Sequence, residues 1–240
     1  MLPTPLAVDV SFFDRFLGAD LAAFEWVQKL QEMGIGSFLT PVLKVITTLG
    51  EAGIIFILLA LALGISKKYK KAGVAIVVAL LVMEVLNNLI IKDFFSRPRP
   101  FNLFDDQKLG IIRDTPLYRD WYIRYQFPEI VSRPSSWSFP SGHSSSAFAA
   151  AVACAFGSKK AKFGIPVFIL AFVMAFSRVY VEVHYLSDVV AGAIVGIIYG
   201  FIGCVIVNII WKKFGDKIDA FVEGIKAKIF RKGKVEKTEE

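Results

Sequence analysis

Only two histidines occur in the 240 residues, His143 and His184, and each stands in a polar cluster at the edge of a long apolar run. His184 and Asp188 are four residues apart, so on a helical turn they share a face. A carboxylate that accepts from one ring nitrogen fixes the tautomer and frees the other nitrogen to attack phosphorus. His143 follows Pro140-Ser141-Gly142 and is the natural general acid for a leaving oxygen, and later the base for water. Proline begins a helix at this point, so the backbone N–H groups of Ser141, Gly142 and His143 are expected to face an anion, with glycine allowing close approach. Lys92, Arg99 and Arg178 add three permanent cations. A phosphate dianion and its more charged transition state require such neutralisation, and arginine's planar fork suits two phosphate oxygens.

The elements that must carry these clusters are membrane helices. Hydrophobic residues make up 55% of the chain and mean hydropathy is +0.56, far above a soluble domain. The net charge of +7 sits at the ends of apolar runs and in the C-terminal tail, which fits anionic lipid headgroups better than nucleic acid. Apolar runs at 35–50, 52–66, 72–91, 141–157, 163–179 and 189–211 predict an all-α polytopic membrane protein, a bundle of six transmembrane helices. The run at 72–91 is about 20 residues, enough for a ~30 Å hydrocarbon core. Residues 9–32 mix Phe12, Phe13, Phe16, Leu17, Leu21, Phe24 and Val27 with Asp14, Asp20, Glu25 and Lys29. That pattern is an amphipathic helix, expected at the membrane surface. No basic stretch precedes an apolar run near Met1, so no cleaved signal peptide is expected.

Three segments follow: an amphipathic N-terminal stretch (1–34), a membrane domain (35–211) with a loop at 93–139, and a basic tail (212–240). Lys67, Lys68, Lys70 and Lys71 lie in one loop, Lys159, Lys160 and Lys162 in another, and Lys212 and Lys213 open the tail. Alternating spans put all of these on one side, and the positive-inside rule makes it cytoplasmic. The three polar clusters then gather on the opposite, extracytoplasmic face. Trp121, Tyr122, Tyr125 and Trp137 in the 93–139 loop suit headgroup level. The tail places Ile218, Phe221, Val222, Ile225 and Ile229 at helical spacing and is expected to rest on the cytoplasmic surface.

These residues resemble the type 2 phosphatidic acid phosphatase family of membrane lipid phosphatases at three motifs. They are Lys92, six residues, then Arg99-Pro100; Pro140-Ser141-Gly142-His143; and Ser177-Arg178, five residues, His184, three residues, Asp188. The likeness spans about residues 35 to 211 and has no substitution in any motif. It implies a phosphohistidine on His184, proton transfer by His143 and orientation by Asp188. It further implies phosphate binding by Lys92, Arg99, Ser141, Gly142, His143 and Arg178, with no metal or other cofactor. The implied substrates are phosphatidic acid, phosphatidylglycerol phosphate or polyprenyl pyrophosphates such as undecaprenyl pyrophosphate, met in the bilayer.

Other readings of the same residues stand beside this one. Lys92, Arg97 and Arg99 have the placement of interfacial charges that snorkel at a span end. Arg97 lies outside the motifs and is read as interfacial. His184 and Asp188 also have the spacing of two metal ligands, although the surrounding cations make a poor field for a divalent ion. Glu84, Asn88 and Lys92 share one helix face, where a structural hydrogen bond is expected and Glu84 faces the bundle interior. Cys154 and Cys204 lie in apolar runs and read as small buried hydrophobes. Gly192, Gly196 and Gly200, and Ser141, Ser145, Ala149, Ala153 and Gly157, form small-residue stripes for close helix packing. A phosphotransferase with a lipid or sugar acceptor and a non-catalytic phospholipid carrier are the alternative functions. A vanadate-dependent haloperoxidase has a related site but is soluble.

Overall fold

The computed structural model describes residues 11–66, 68–102, 128–158 and 161–235, and among them every regular element is helical. Helix α1 (Ser11–Glu32) buries Phe13, Leu17, Leu21, Phe24 and Val27 along one face and exposes Asp14, Arg15, Glu25 and Lys29 on the other. Asp20 falls on the buried face, fully enclosed. Helices α2 (Gly36–Leu49) and α3 (Ile54–Ile65) follow. Helix α4 begins at Lys70–Met83, widens into a π-helical stretch at Glu84–Ile91 and resumes as Lys92–Phe95. Beyond the loop come α5 (Gly142–Ser158), α6 (Ala161–Tyr180) and the 50-residue α7 (Leu186–Val235).

Helix α5 is the centre of the bundle, packed against α4, α6 and α7. Its residues from Ser144 to Cys154 are all buried, and they are mostly serine and alanine. Small side chains let neighbouring backbones approach, which is how helices associate where lipid removes the hydrophobic drive. The approach to α7 is tight: a Cβ added at Gly196 would lie 2.5 Å from the Ser145 carbonyl oxygen, and one at Gly192 2.7 Å from that of Ser141. The two small-residue stripes thus pack on each other as their spacing predicts. Large apolar side chains point outward instead, among them Leu61, Leu81, Phe172, Ile194 and Ile209. Both cysteines are free thiols.

Fewer than the expected six crossings stand out by length and composition among the described residues. Among the described residues three stretches are long and apolar enough to cross, Lys70–Asn102, Phe163–Tyr180 and Leu186–Ile218; the pair Gly36–Leu49 and Glu51–Ile65 makes a fourth if taken together. That pair was expected as two separate spans. It is joined by a 57° bend, so the chain turns aside between its halves and does not reverse. The bend comes from left-handed backbone at Ala52 (φ 50°) and Gly53 (φ 68°). Helix α5, at 17 residues, is roughly 25 Å long against a ~30 Å core. Helix α7 at ~75 Å must run well beyond that core. Residues 103–127, with Trp121, Tyr122 and Tyr125, lie outside the described residues, as do the side chains of Val222, Ile225 and Ile229 in the tail.

Candidate active site

The π-helical stretch of α4 sets the first cluster. An i→i+5 turn shifts the residues after it out of the α register, and such turns recur at functional sites. Its polar side chains form a ladder: Ser145 Oγ donates to Asn87 Oδ1 (3.1 Å), Asn87 Nδ2 to Asn88 Oδ1 (3.2 Å), and Asn88 Nδ2 to Glu84 Oε2 (2.7 Å). Glu84 therefore has the structural hydrogen bond its spacing implied, with its carboxylate on a cavity wall. One turn on, Lys92 is buried. A Cβ built on Gly142 would stand 3.6 Å from Lys92 Nζ and 3.2 Å from Asn88 Oδ1. Glycine lets the first turn of α5 sit directly against the lysine.

The second histidine lies between α6 and α7. Its ring is 1% exposed. Nδ1 is 3.4 Å from both Asp188 Oδ2 and Ser138 Oγ, and Nε2 is 3.1 Å from Arg99 Nη1. Arginine carries donors only, so Nε2 must be the acceptor and the ring proton resides on Nδ1. This is the tautomer an attacking Nε2 requires. Arg99 is itself held by Val183 O (2.9 Å), Ser136 O (2.7 Å) and Ser136 Oγ (3.0 Å). Burial, then Arg99, Arg178 and Lys92, push the His184 imidazole well below its ordinary range, so it is neutral near pH 7.

His143 and Arg178 complete the cluster. Arg178 is buried and donates through Nη1 to Thr47 Oγ1 at the end of α2, while its Nε has no protein partner. The His143 ring is hydrogen-bonded to the Thr47 backbone, and its buried Nε2 has no protein partner. Gly50 makes this meeting possible, since a Cβ there would lie 2.9 Å from the His143 ring and 2.4 Å from Met174 Sδ. Lys92, Arg99, Gly142, His143, Arg178 and His184 share the wall of one cavity of about 760 Å³. Two imidazoles, one with its Nε2 lone pair held by Arg99 and one with an unpartnered nitrogen, thus face one anion-attracting space.

Three placements correct or extend the reading of the sequence. Ser141 does not offer its N–H to the cavity. That N–H donates to the Asp188 carbonyl (3.0 Å), and the hydroxyl accepts from Ser144 N (3.4 Å), which makes Ser141 the N-cap of α5. Arg97 is not interfacial. It is 3% exposed, donates to Asp188 Oδ1 (2.5 Å), Asp20 Oδ2 (2.8 Å) and Ser187 Oγ (2.7 Å), and lies between the rings of Phe13 (4.3 Å) and Tyr185 (3.8 Å). Asp188 is consequently held through both oxygens, since its Oδ2 also accepts from Ser138 Oγ and from Tyr185 N (3.1 Å). Its Oδ2 is also the carboxylate oxygen 3.4 Å from His184 Nδ1. Asp20, Ser136 and Ser138 are the residues touching the cluster that sequence reasoning did not single out. The serines sit just before the Pro140-Ser141-Gly142-His143 motif; Asp20 sits on the buried phase of α1.

One buried carboxyl in this region has no role in the cluster. Glu182 is 1% exposed, at φ 54°, with Oε2 accepting from Gln28 Nε2 (3.4 Å) and Oε1 unpartnered. Burial raises it from 4.5 to about 7. The folded state therefore holds this proton more tightly than the unfolded chain does. Its stabilising effect is complete below about pH 4.5 and is lost as pH rises through about 7. Glu182→Gln should remove that loss. Thermal midpoints measured from pH 5 to pH 8 should agree with wild type at the acid end, and the variant should be the more stable at the alkaline end.

Residues 68–214 match the model of the PAP2 superfamily. Among solved structures, LpxE of Aquifex aeolicus is 26% identical with a TM-score of 0.55, over 76% of this chain and 93% of that one. A transmembrane PAP2-type phosphatidylglycerolphosphate phosphatase of Bacillus subtilis is also 26% identical, with a TM-score of 0.53, over 85% of this chain and 88% of that one. No curated protein matches. The matched residues cover more than half of the chain and contain all three motifs, so this chain belongs to the PAP2 superfamily.

Proposed function

We propose that the protein is a membrane lipid phosphatase that moves the phosphoryl group of a lipid phosphate or pyrophosphate to His184 and then to water. The observation that carries this reading is the Arg99–His184 contact, which holds the proton on Nδ1 and presents the Nε2 lone pair among three cations. Lys92, Arg99 and Arg178 bind the phosphate oxygens, with the first turn of α5 at Gly142 and His143. His184 Nε2 attacks phosphorus as the bond to the lipid oxygen breaks. His143 gives that oxygen a proton through Nε2. It then takes a proton from water, which attacks the phosphohistidine and releases inorganic phosphate. Asp188 holds the Nδ1 proton and offsets the charge the ring gains.

The substrate range follows from the family and the cavity. The two similar structures include a phosphatidylglycerolphosphate phosphatase, and the cavity leaves room for a headgroup beyond the phosphate. Phosphatidic acid, phosphatidylglycerol phosphate and polyprenyl pyrophosphates are the candidates. The lysine-rich loops and tail favour a site outside and a C-terminus in the cytoplasm. Purified protein given these lipids without any acceptor should release inorganic phosphate; a strict phosphotransferase would release none, and a carrier would cleave nothing. His143→Ala should slow release by about 10²–10⁴-fold, the usual contribution of a general acid. Near-normal turnover of this variant would remove His143 from the proton transfer.

A further inference from the structure

Helix α1 grips the segment that carries the nucleophile at three successive points. Gln31 Nε2 donates to Tyr180 O (2.7 Å), Gln28 Nε2 to Glu182 Oε2 (3.4 Å), and Asp20 accepts from Ser187 N (2.7 Å) and Ser187 Oγ (2.8 Å). The order is antiparallel, 31–28–20 against 180–182–187. From Gln31 to Asp20 the helix covers ~16 Å, whereas seven residues of chain reach at most ~24 Å when extended. The segment is therefore fastened along its length with limited slack. It needs fastening. Its backbone hydrogen bonds back to α6 end at Val183, and Glu182 has left-handed backbone that a residue with a Cβ resists. Such a conformation persists where its surroundings over-determine it.

We infer that α1 is a splint for the nucleophile segment and that Asp20 is a positioning residue for His184. The inference rests on the phosphohistidine reading for its effect on turnover, but the splint itself does not. Asp20 acts by two routes that meet at the imidazole. It anchors Ser187, three residues beyond His184. It also fixes Arg97, whose other nitrogen holds Asp188 Oδ1 against the ring. All three gripping residues precede the stretch matched to the superfamily, 68–214, so this support is supplied from outside that region.

Two measurements on the full-length protein in nanodiscs test this. The first is amide hydrogen exchange across residues 180–187 in wild type, Asp20→Asn and Asp20→Ala. Faster exchange at Val183 and Tyr185 is expected in both variants; unchanged exchange overturns the splint whether or not the protein is a phosphatase. The second is steady-state phosphate release. Asp20→Asn should lower kcat by about 10- to 100-fold, the cost of an ångström-scale misplacement, with little change in KM. In an Asp188→Asn background the same substitution should cost less than it does in wild type, because the route through Arg97 is already broken while that through Ser187 remains. Equal losses in both backgrounds overturn the route through Arg97, and an unchanged kcat overturns Asp20 as a positioning residue. If the wild type acquires no phosphohistidine and releases no phosphate, the reading of the site falls and takes the positioning claim with it, leaving exchange to decide the splint.

Discussion

His184→Ala should release no phosphate above background, a loss of about 10⁴–10⁶-fold, as when a covalent nucleophile is removed elsewhere. Wild-type protein quenched during turnover should carry acid-labile, base-stable phosphate, and the variant none. The geometry makes the result specific to the ring. Arg99 has bonds to Val183 O and Ser136 that do not depend on the ring, so the cations proposed to bind phosphate should stay in place and lipid should still bind. His184→Gln, which fills more of the buried space, should be as inactive as alanine while shifting thermal stability less. The pH profile adds a sign. Because burial and the neighbouring cations depress the imidazole, the nucleophile stays unprotonated as pH falls below its ordinary value of about 6.5. The acid limb of kcat/KM assigned to this ring should lie below that value. Labelled phosphate on His184→Ala, or phosphate release by it at wild-type rate, would move the nucleophile to another residue.

What could be read from the sequence divides along a physical line. Chemistry held by short spacings was legible: His184, in the bend just before α7, lies 3.4 Å from Asp188 in the first turn of that helix, and the stripes of α5 and α7 meet because glycine and serine recur at helical spacing. The convergence of Lys92, Arg99, His143, Arg178 and His184 on one cavity was also legible, because alternating apolar runs carry their ends to one face. Long-range pairing was not. Arg97 and Asp20 are 77 residues apart, and a cation at a span end looks the same whether it faces lipid headgroups or a buried carboxylate. The only hint lay in α1, where position 20 shares a face with Leu17, Leu21, Phe24 and Val27. Ser141 was misplaced by one helical position, since Pro140 marks a helix start without saying which residue caps it. The bend between α2 and α3 at Ala52 was not legible either, since alanine gives no sign of left-handed backbone.

Arg97 is where the buried and interfacial readings make opposite quantitative predictions. An interfacial arginine can be replaced for less than ~0.5 kcal/mol. Here the guanidinium joins two carboxylates, Asp20 and Asp188, each 0% exposed. Arg97→Met would leave both charges enclosed without their cation, a type of loss that costs roughly 3–5 kcal/mol. The apparent thermal midpoint should fall markedly, and phosphate release should be lost even at temperatures where the variant remains folded. Arg97→Lys separates charge from shape. It keeps a cation between Phe13 and Tyr185, but one ammonium lacks the rigid fork whose two nitrogens hold Asp20 and Asp188 at once. Stability should recover in part while kcat stays low, since Asp188 is then free to drift from His184. Differential scanning fluorimetry beside phosphate release gives both readouts on one preparation. If Arg97→Met melts and turns over like wild type, the clamp between α1 and α7 has no energetic weight, and Asp188 orients the nucleophile unaided.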